Sequence, residues 1–249
     1  MPPSKITPEN FNEFTYSKKR HFYLFLGNNY DEELFNKAID PGYCDLKVYQ
    51  DLFMFSFIKN NIKQRSKLLD IGGGNSRILN FFKYDHECWN IDKLEGIGHG
   101  PREIDATGFR LVLDYMGNFN DELPENYFDL VFSISTLEHI PLDDTKIYEN
   151  ILKDINRVLK PGGYSVHCVD HTTDLELYNV DEVWTNPIIS LFFENQKMLN
   201  DFIPLKTAET DPELFFMSEK HFNDNWAEAT GKTFEEFGKP FSYNFMWKK

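Results

Sequence analysis

Apolar positions change period along the chain, and each change marks an element. Over residues 46–63, Leu46, Tyr49, Leu52, Phe53, Phe57 and Ile58 recur at helical spacing, which predicts an amphipathic helix. From residue 67 the rhythm switches to short apolar runs. Lys67-Leu68-Leu69-Asp70-Ile71 is stopped by Gly72-Gly73-Gly74, the pattern of a buried strand entering a tight turn. Asn75 and Ser76 are N-cap residues, and Ile78, Leu79, Phe81 and Phe82 continue as a helix. Cys88–Asp92, Arg110–Asp114 and Phe128–Ser133 read as three more strands. A helix from about Asp143 to Lys160 carries Ile147, Ile151, Ile155, Val158 and Leu159 on one side. It must stop before Pro161, because proline disfavours helical backbone in the residue ahead of it. Gly162-Gly163 then turns the chain into a fifth strand, Tyr164–Val169.

Short, almost continuously apolar strands alternating with helices predict an α/β fold, a parallel sheet covered on both faces. Right-handed crossovers make it doubly wound. In such sheets a ligand lies outside the carboxyl ends of the strands, where strand order reverses. Asp70, Asp92, Asp114 and Ser133 fall at or just past those ends, so four polar groups share one rim.

Composition narrows the partners. The 249 residues suit one fairly large domain, and 24 Phe with 12 Tyr give it ample apolar bulk. A formal net charge of -14 disfavours nucleic acid and anionic membrane surfaces. No run approaches the ~18 apolar residues of a membrane span, and the N-terminal MPPSKITPEN has no apolar signal core. Cys44, Cys88 and Cys168 are too scattered for a disulfide framework or a zinc site. The expectation is a soluble cytoplasmic protein with no metal.

The rim residues also have chemistry. Asp70 before Gly72 and Gly74 puts a carboxylate beside a turn that backbone can bring close to a ligand. Asp92 stands where an acidic residue takes ribose hydroxyls, and Asp114 can accept from an exocyclic amine. No Lys of the GK[ST] type is present, so a nucleoside triphosphate is excluded. The ligand implied has a ribose, a base and a cationic end.

These motifs resemble those of class I S-adenosylmethionine-dependent methyltransferases. Leu69-Asp70-Ile71-Gly72-Gly73-Gly74-Asn75-Ser76 is similar to the first motif, Asn90-Ile91-Asp92 to the second and Leu113-Asp114-Tyr115 to the third. Tyr127–Ser133 through Leu137-Glu138-His139-Ile140 resembles the fourth-strand signature, and Arg157–Gly163 the turn before strand five. Ser76 stands where many members have a third glycine. The resemblance implies a Rossmann-like, seven-stranded, mostly parallel sheet with one antiparallel strand and helices on both faces. Leu214–Met217 and Phe241–Trp247 are the candidates to complete it. Residues 1–65 would form an N-terminal helical cap, 66–170 the cofactor-binding core, and 171–249 the acceptor-pocket insertion and final strands, with the pocket built from 1–65 and 171–212. The implied cofactor is S-adenosyl-L-methionine: Asp70, Gly72, Gly74 and Asn75 at its methionine end, Asp92 at the ribose, Asp114 and Tyr115 at the adenine, and Ser133 along the methyl channel, with Lys93 a further cofactor-binding residue.

Methyl transfer from a sulfonium is an in-line displacement that positioning in a dry cavity accelerates. A general base is needed only for a protonated acceptor. His139, Glu138 and His171 are the candidates, with His139 first. The acceptor is expected to be a small molecule; Ser133-Ile134-Ser135-Thr136 is no Asn-Pro-Pro-Tyr element, which disfavours a base amino group or glutamine. His86, His99 and His221 read as surface residues, and the Phe-rich N-terminus as packing. Two rival readings stay open. An NAD(P)-dependent oxidoreductase fits Gly72-x-Gly74 with a later acid, against Arg77 at the third glycine position and Asp70 beside a pyrophosphate. A catalytically inactive methyltransferase-like partner protein would keep the fold alone.

Overall fold

The structure, a computed structural model, describes residues 3–96, 100–140, 145–173 and 188–249. His99, Asp143, Asp144 and residues 174–187 of the expected acceptor wall lie outside the described residues.

Six strands form one sheet: β1 Lys67–Ile71, β2 Glu87–Ile91, β3 Arg110–Val112, β4 Phe128–Ile134, β5 Leu159–His171 and β6 Phe241–Lys248. Their order is β3-β2-β1-β4-β5-β6, all parallel except β6, which runs antiparallel to β5. The order reverses between β1 and β4, so the ligand crevice belongs above that pair. The expected α/β doubly wound sheet is present, with six strands among the described residues rather than seven. Phe241–Trp247 is the antiparallel edge, but Leu214–Met217 forms no strand. Leu214 bridges Lys18, and the Phe215 amide donates to Ser17 O at 2.9 Å, so the N-terminal segment has taken those backbone groups.

Helices lie on both faces. In order they are α1 His21–Gly27, α2 Tyr30–Phe35, α3 Leu46–Asn61, α4 Arg77–Phe82, α5 Thr145–Val158, α6 Ile188–Asn195, α7 Leu205–Glu209, α8 Glu219–Asn225, α9 Ala227–Thr230 and α10 Phe234–Phe237. Strand alternation divides the core between the faces. Leu68, Leu130, Phe132 and Val166 meet Phe53, Phe57 and Leu79 on one side, while Leu69, Val131 and Phe245 meet Ile155 and Phe192 on the other.

Helix α3 departs from its expected amphipathic character, because every residue from Tyr49 to Ile58 is buried. The N-terminal aromatics are the reason. Phe11 packs edge-on against Phe53 and Phe57, and Phe22 and Phe25 against Tyr49, covering the face that would have met water. Cys44, Cys88 and Cys168 are all buried free thiols. No helix among the described residues is long and apolar enough to cross a membrane.

Candidate active site

The turn after β1 is held from beneath and from the side. Gly72 (φ +65°) donates its amide to Ile91 O at 2.8 Å, Gly73 to Asn90 Oδ1 at 3.1 Å and Gly74 (φ +50°) to Asp92 Oδ2 at 2.9 Å. Asn90 Nδ2 in turn donates to Gly74 O at 3.0 Å, so β2 grips the turn by three side-chain bonds. None of the three glycines has room for a side chain, and a Cβ on Gly73 would meet Asp70 Oδ2 at 2.5 Å. A Cβ on Gly72 would meet Thr136 Cγ2 at 2.2 Å, and one on Gly74 would meet Pro101 Cδ at 2.9 Å. Ser76 then caps α4 by accepting from the Leu79 amide at 3.1 Å.

Above this turn opens a cavity of about 1110 Å³, room for two small molecules side by side. It brings together Gly72, Gly74, Asn75, Asp92, Lys93, Asp114, Tyr115 and His139 of the expected site. Ile71, Ile91, Met116, Ile134, Leu137 and Ile151 supply its apolar floor. Asp92 Oδ1 also accepts from the Leu94 amide at 2.7 Å, which fixes the carboxylate at the rim. Burial raises the Asp114 carboxyl a little, but donors from Asn120, Asn118 and the Tyr115 amide outweigh it and hold the group below the usual range. Tyr115 hydroxyl bonds Glu95, steadying an aromatic plane at the mouth.

Two expected residues do not line this cavity. Asp70 lies under the turn, 2% exposed, with its carboxyl beneath Gly73 and Oδ1 taking no hydrogen bond. Burial raises it to about 7, the Ser76 hydroxyl and Lys47 pulling it down and Asp51 and Asp92 pushing it further up. Ser133 points the other way: it is fully buried with Oγ 2.7 Å from His167 Nδ1, and His167 Nε2 is 2.7 Å from Ser165 Oγ. Strand β4 runs one residue past Ser133, so the rim position falls to Ser135 (φ +49°). Of the other candidate bases, His171 is buried beside Phe241 with its basicity lowered to about 3 by desolvation, and Glu138 is 1% exposed behind the wall. His86 and His221 are half-buried rather than surface groups; His221 packs on Tyr43, 4.0 Å from Asp45 Oδ2.

The structure adds residues that the motifs did not single out. Asp45, Lys47, Ser135, Asp170, Asn225 and Trp226 also line the cavity. Asp170 Oδ1 accepts from Gln50 Nε2 at 2.6 Å and lies 2.9 Å from Ser135 Oγ. Among the described residues this wall comes from 225–230, not from 188–212, because α6 and α7 pack on the β5–β6 edge away from the turn. Asp170 was within reach of the same rim rule: β5 extends past Val169 and ends on two polar residues, Asp170 and His171.

Comparison with known proteins settles the family. A methyltransferase-domain family profile matches residues 45–229. The chain belongs to the S-adenosylmethionine-dependent methyltransferases of class I. The phosphoethanolamine N-methyltransferase of Plasmodium falciparum (isolate 3D7) is 27% identical over 145 residues, 51% of this chain and 52% of that protein. Two solved structures share the fold. One is a Galdieria sulphuraria protein assigned as a sarcosine dimethylglycine methyltransferase (TM-score 0.52, 14% identity, 89% of this chain and 97% of that one). The other is Haemonchus contortus phosphoethanolamine N-methyltransferase 2 in complex with S-adenosyl-L-methionine (TM-score 0.50, 17% identity, 98% of this chain and 60% of that one). This methyltransferase-family chain thus spans about half the length of the curated relatives it matches.

Proposed function

We propose that this chain transfers the methyl group of S-adenosyl-L-methionine to a small-molecule acceptor. The observation that carries the reading is the clasp between Asp92 and the glycine turn at the mouth of a cavity of about 1110 Å³. The residues fit the cofactor on two counts. The turn presents backbone where a Cβ on Gly72 or Gly74 would collide with Thr136 or Pro101. A fixed carboxylate stands at the end of β2, where ribose hydroxyls are bound in sheets of this order.

In this reading Gly72, Gly74 and Asn75 bind the amino-acid end, Asp92 and Lys93 the ribose, and Asp114 and Tyr115 the adenine. Asp70 supports the turn from below rather than touching the ligand. S-adenosylmethionine, when bound, supplies a methyl carbon on a sulfonium, which needs alignment more than activation. The apolar wall of Leu137, Ile140 and Ile151 excludes water from that alignment. His139 lines the cavity and takes the proton of an acceptor that arrives protonated. The net charge of -14 favours a small acceptor over nucleic acid, and three buried free thiols suit a reducing cytoplasm.

Isothermal titration calorimetry with S-adenosylhomocysteine tests the reading. Micromolar binding to the folded chain is expected; absence of binding at millimolar concentration overturns it.

A further inference from the structure

The cavity has two chemically different ends. Asp92 and Tyr115 follow β2 and β3, whereas Asp170 lies three strands from β2 near the end of β5, and the same cavity is lined by Asp45 at the entry to α3, Lys47 one residue into that helix, and Trp226 between α8 and α9. Asp45 and Asp170 are near enough that the charge of the first raises the proton affinity of the second. Asp45 Oδ1 is closed off from water and takes no hydrogen bond. Behind Asp170, Glu138 Oε1 accepts from the Asp170 amide at 3.1 Å and Oε2 takes no hydrogen bond, the residue only 1% exposed. Among the described residues the cationic groups facing Asp45 and Asp170 are Lys47, whose Nζ also donates to Ile134 O at 3.3 Å, and, when protonated, His221, 4.0 Å from Asp45 Oδ2.

Carboxyl groups gathered in a partly dry cavity with too little counter-charge are unfavourable in isolation. A cation entering between them relieves both their mutual repulsion and their desolvation, and an indole face adds attraction for it. Among the described residues no group of three or more His, Cys, Asp or Glu is placed to hold a metal ion, and the indole face suits an organic ammonium.

Resting on the methyltransferase reading above, we propose that the acceptor is a small aliphatic amine without a phosphate, bound as its ammonium between Asp45 and Asp170 against Trp226. A phosphomonoester carries close to two negative charges at neutral pH and calls for several cationic donors. Among the described residues Lys47 is the one Lys or Arg lining this end, and the sequence has no Lys or Arg in 141–144 or 174–187. The ammonium gives one proton to His139, and the nitrogen lone pair so freed bonds to the methyl carbon as the carbon–sulfur bond breaks. A neutral thioether leaves and the positive charge stays on nitrogen, so the same carboxylates hold the product.

The test is calorimetry on the full chain saturated with S-adenosylhomocysteine. The probes are ethanolamine, 1,4-diaminobutane and tetramethylammonium, with ethylene glycol and tert-butanol as neutral counterparts, and phosphoethanolamine. At least one cation is expected to bind about tenfold or more tighter than its neutral counterpart, and phosphoethanolamine no tighter than ethanolamine. Asp170→Asn and Asp45→Asn are each expected to weaken that cation by about tenfold or more, with S-adenosylhomocysteine affinity held within about threefold. Asp45 is partly exposed, so its variant stands as the folding-safe arm. The proposal is overturned if S-adenosylhomocysteine binds and none of the three cations does, if phosphoethanolamine binds tighter than ethanolamine, or if both variants match the wild type. Failure of S-adenosylhomocysteine itself to bind overturns the methyltransferase reading first.

Discussion

Asp92 Oδ2 accepts the amide hydrogen of Gly74 at 2.9 Å, tying the end of β2 to the turn that follows β1. With Oδ1 on the Leu94 amide, one carboxylate both shapes the glycine turn and faces the cavity. Binding geometry and loop geometry therefore depend on the same side chain.

Asp92→Ala removes the acceptor for both amides and the group proposed for the ribose. Hydrogen bonds to a charged group contribute about 1.5–3 kcal/mol each. The expected outcome is a loss of S-adenosylhomocysteine affinity of about 10- to 100-fold by calorimetry. A loss under threefold with a normally folded protein would show that ribose recognition lies elsewhere.

Glycine conformation separates two superficially alike substitutions. Gly72 and Gly162 both have positive φ, +65° and +83°, but an added Cβ at Gly162 meets nothing within 4 Å, whereas at Gly72 it meets Thr136 Cγ2 at 2.2 Å. Gly162→Ala should lower stability by about 1 kcal/mol, the ordinary left-handed cost, and leave ligand binding alone. Gly72→Ala adds the collision, displaces Thr136 from the cavity wall, and should cost about 2–4 kcal/mol together with most S-adenosylhomocysteine binding. Thermal melts with and without S-adenosylhomocysteine distinguish the two; equal effects would mean the turn yields easily.

His139 lines the cavity, and its proposed work is proton removal rather than donor binding. His139→Ala should leave the S-adenosylhomocysteine dissociation constant within about twofold and lower kcat on an amine acceptor by about 100-fold or more. Raising the pH toward the amine's own pKa should recover part of the rate, because the acceptor then arrives deprotonated. A pH-independent deficit would make His139 a packing residue.

Much of this was legible in the chain. The glycine run after Asp70, the acid after β2 and the apolar runs each report on a single element, and single elements are what local pattern encodes. What the pattern missed depends on where strands end and on what covers them. Ser133 was one residue short of the true end of β4, so its hydroxyl belongs to the His167 pair and Ser135 takes the rim. Asp170 lies beyond the predicted end of β5 for the same reason. Asp45 and Trp226, far apart in sequence, reach one cavity only through tertiary folding, and no spacing announces them. Leu214–Met217 shows the converse: a strand-like run whose backbone partner turned out to be the N-terminal segment.

Asp70 makes stability depend on pH in a defined direction. Burial raises its folded-state carboxyl to about 7, with the Ser76 hydroxyl and Lys47 opposing and Asp51 and Asp92 reinforcing, while the unfolded group titrates near its ordinary value of about 4. Between those values the folded chain holds a proton that the unfolded chain has released. Its contribution is therefore fully present below about pH 4 and is lost as pH rises to about 7. Asp170, raised to about 6 chiefly by burial, acts with the same sign over a narrower window. At about 1.4 kcal/mol per pKa unit, the Asp70 share is of the order of a few kcal/mol. Asp70→Asn keeps the shape and a hydrogen-bond acceptor but never ionises. It should melt close to the wild type at pH 4 and about 4 °C or more above it at pH 8, leaving a shallower pH profile to Asp170 and its neighbours. If the variant instead melts below the wild type by the same margin at both pH values, the ionised carboxylate is satisfied by its surroundings, and the unpartnered oxygen under Gly73 carries no penalty.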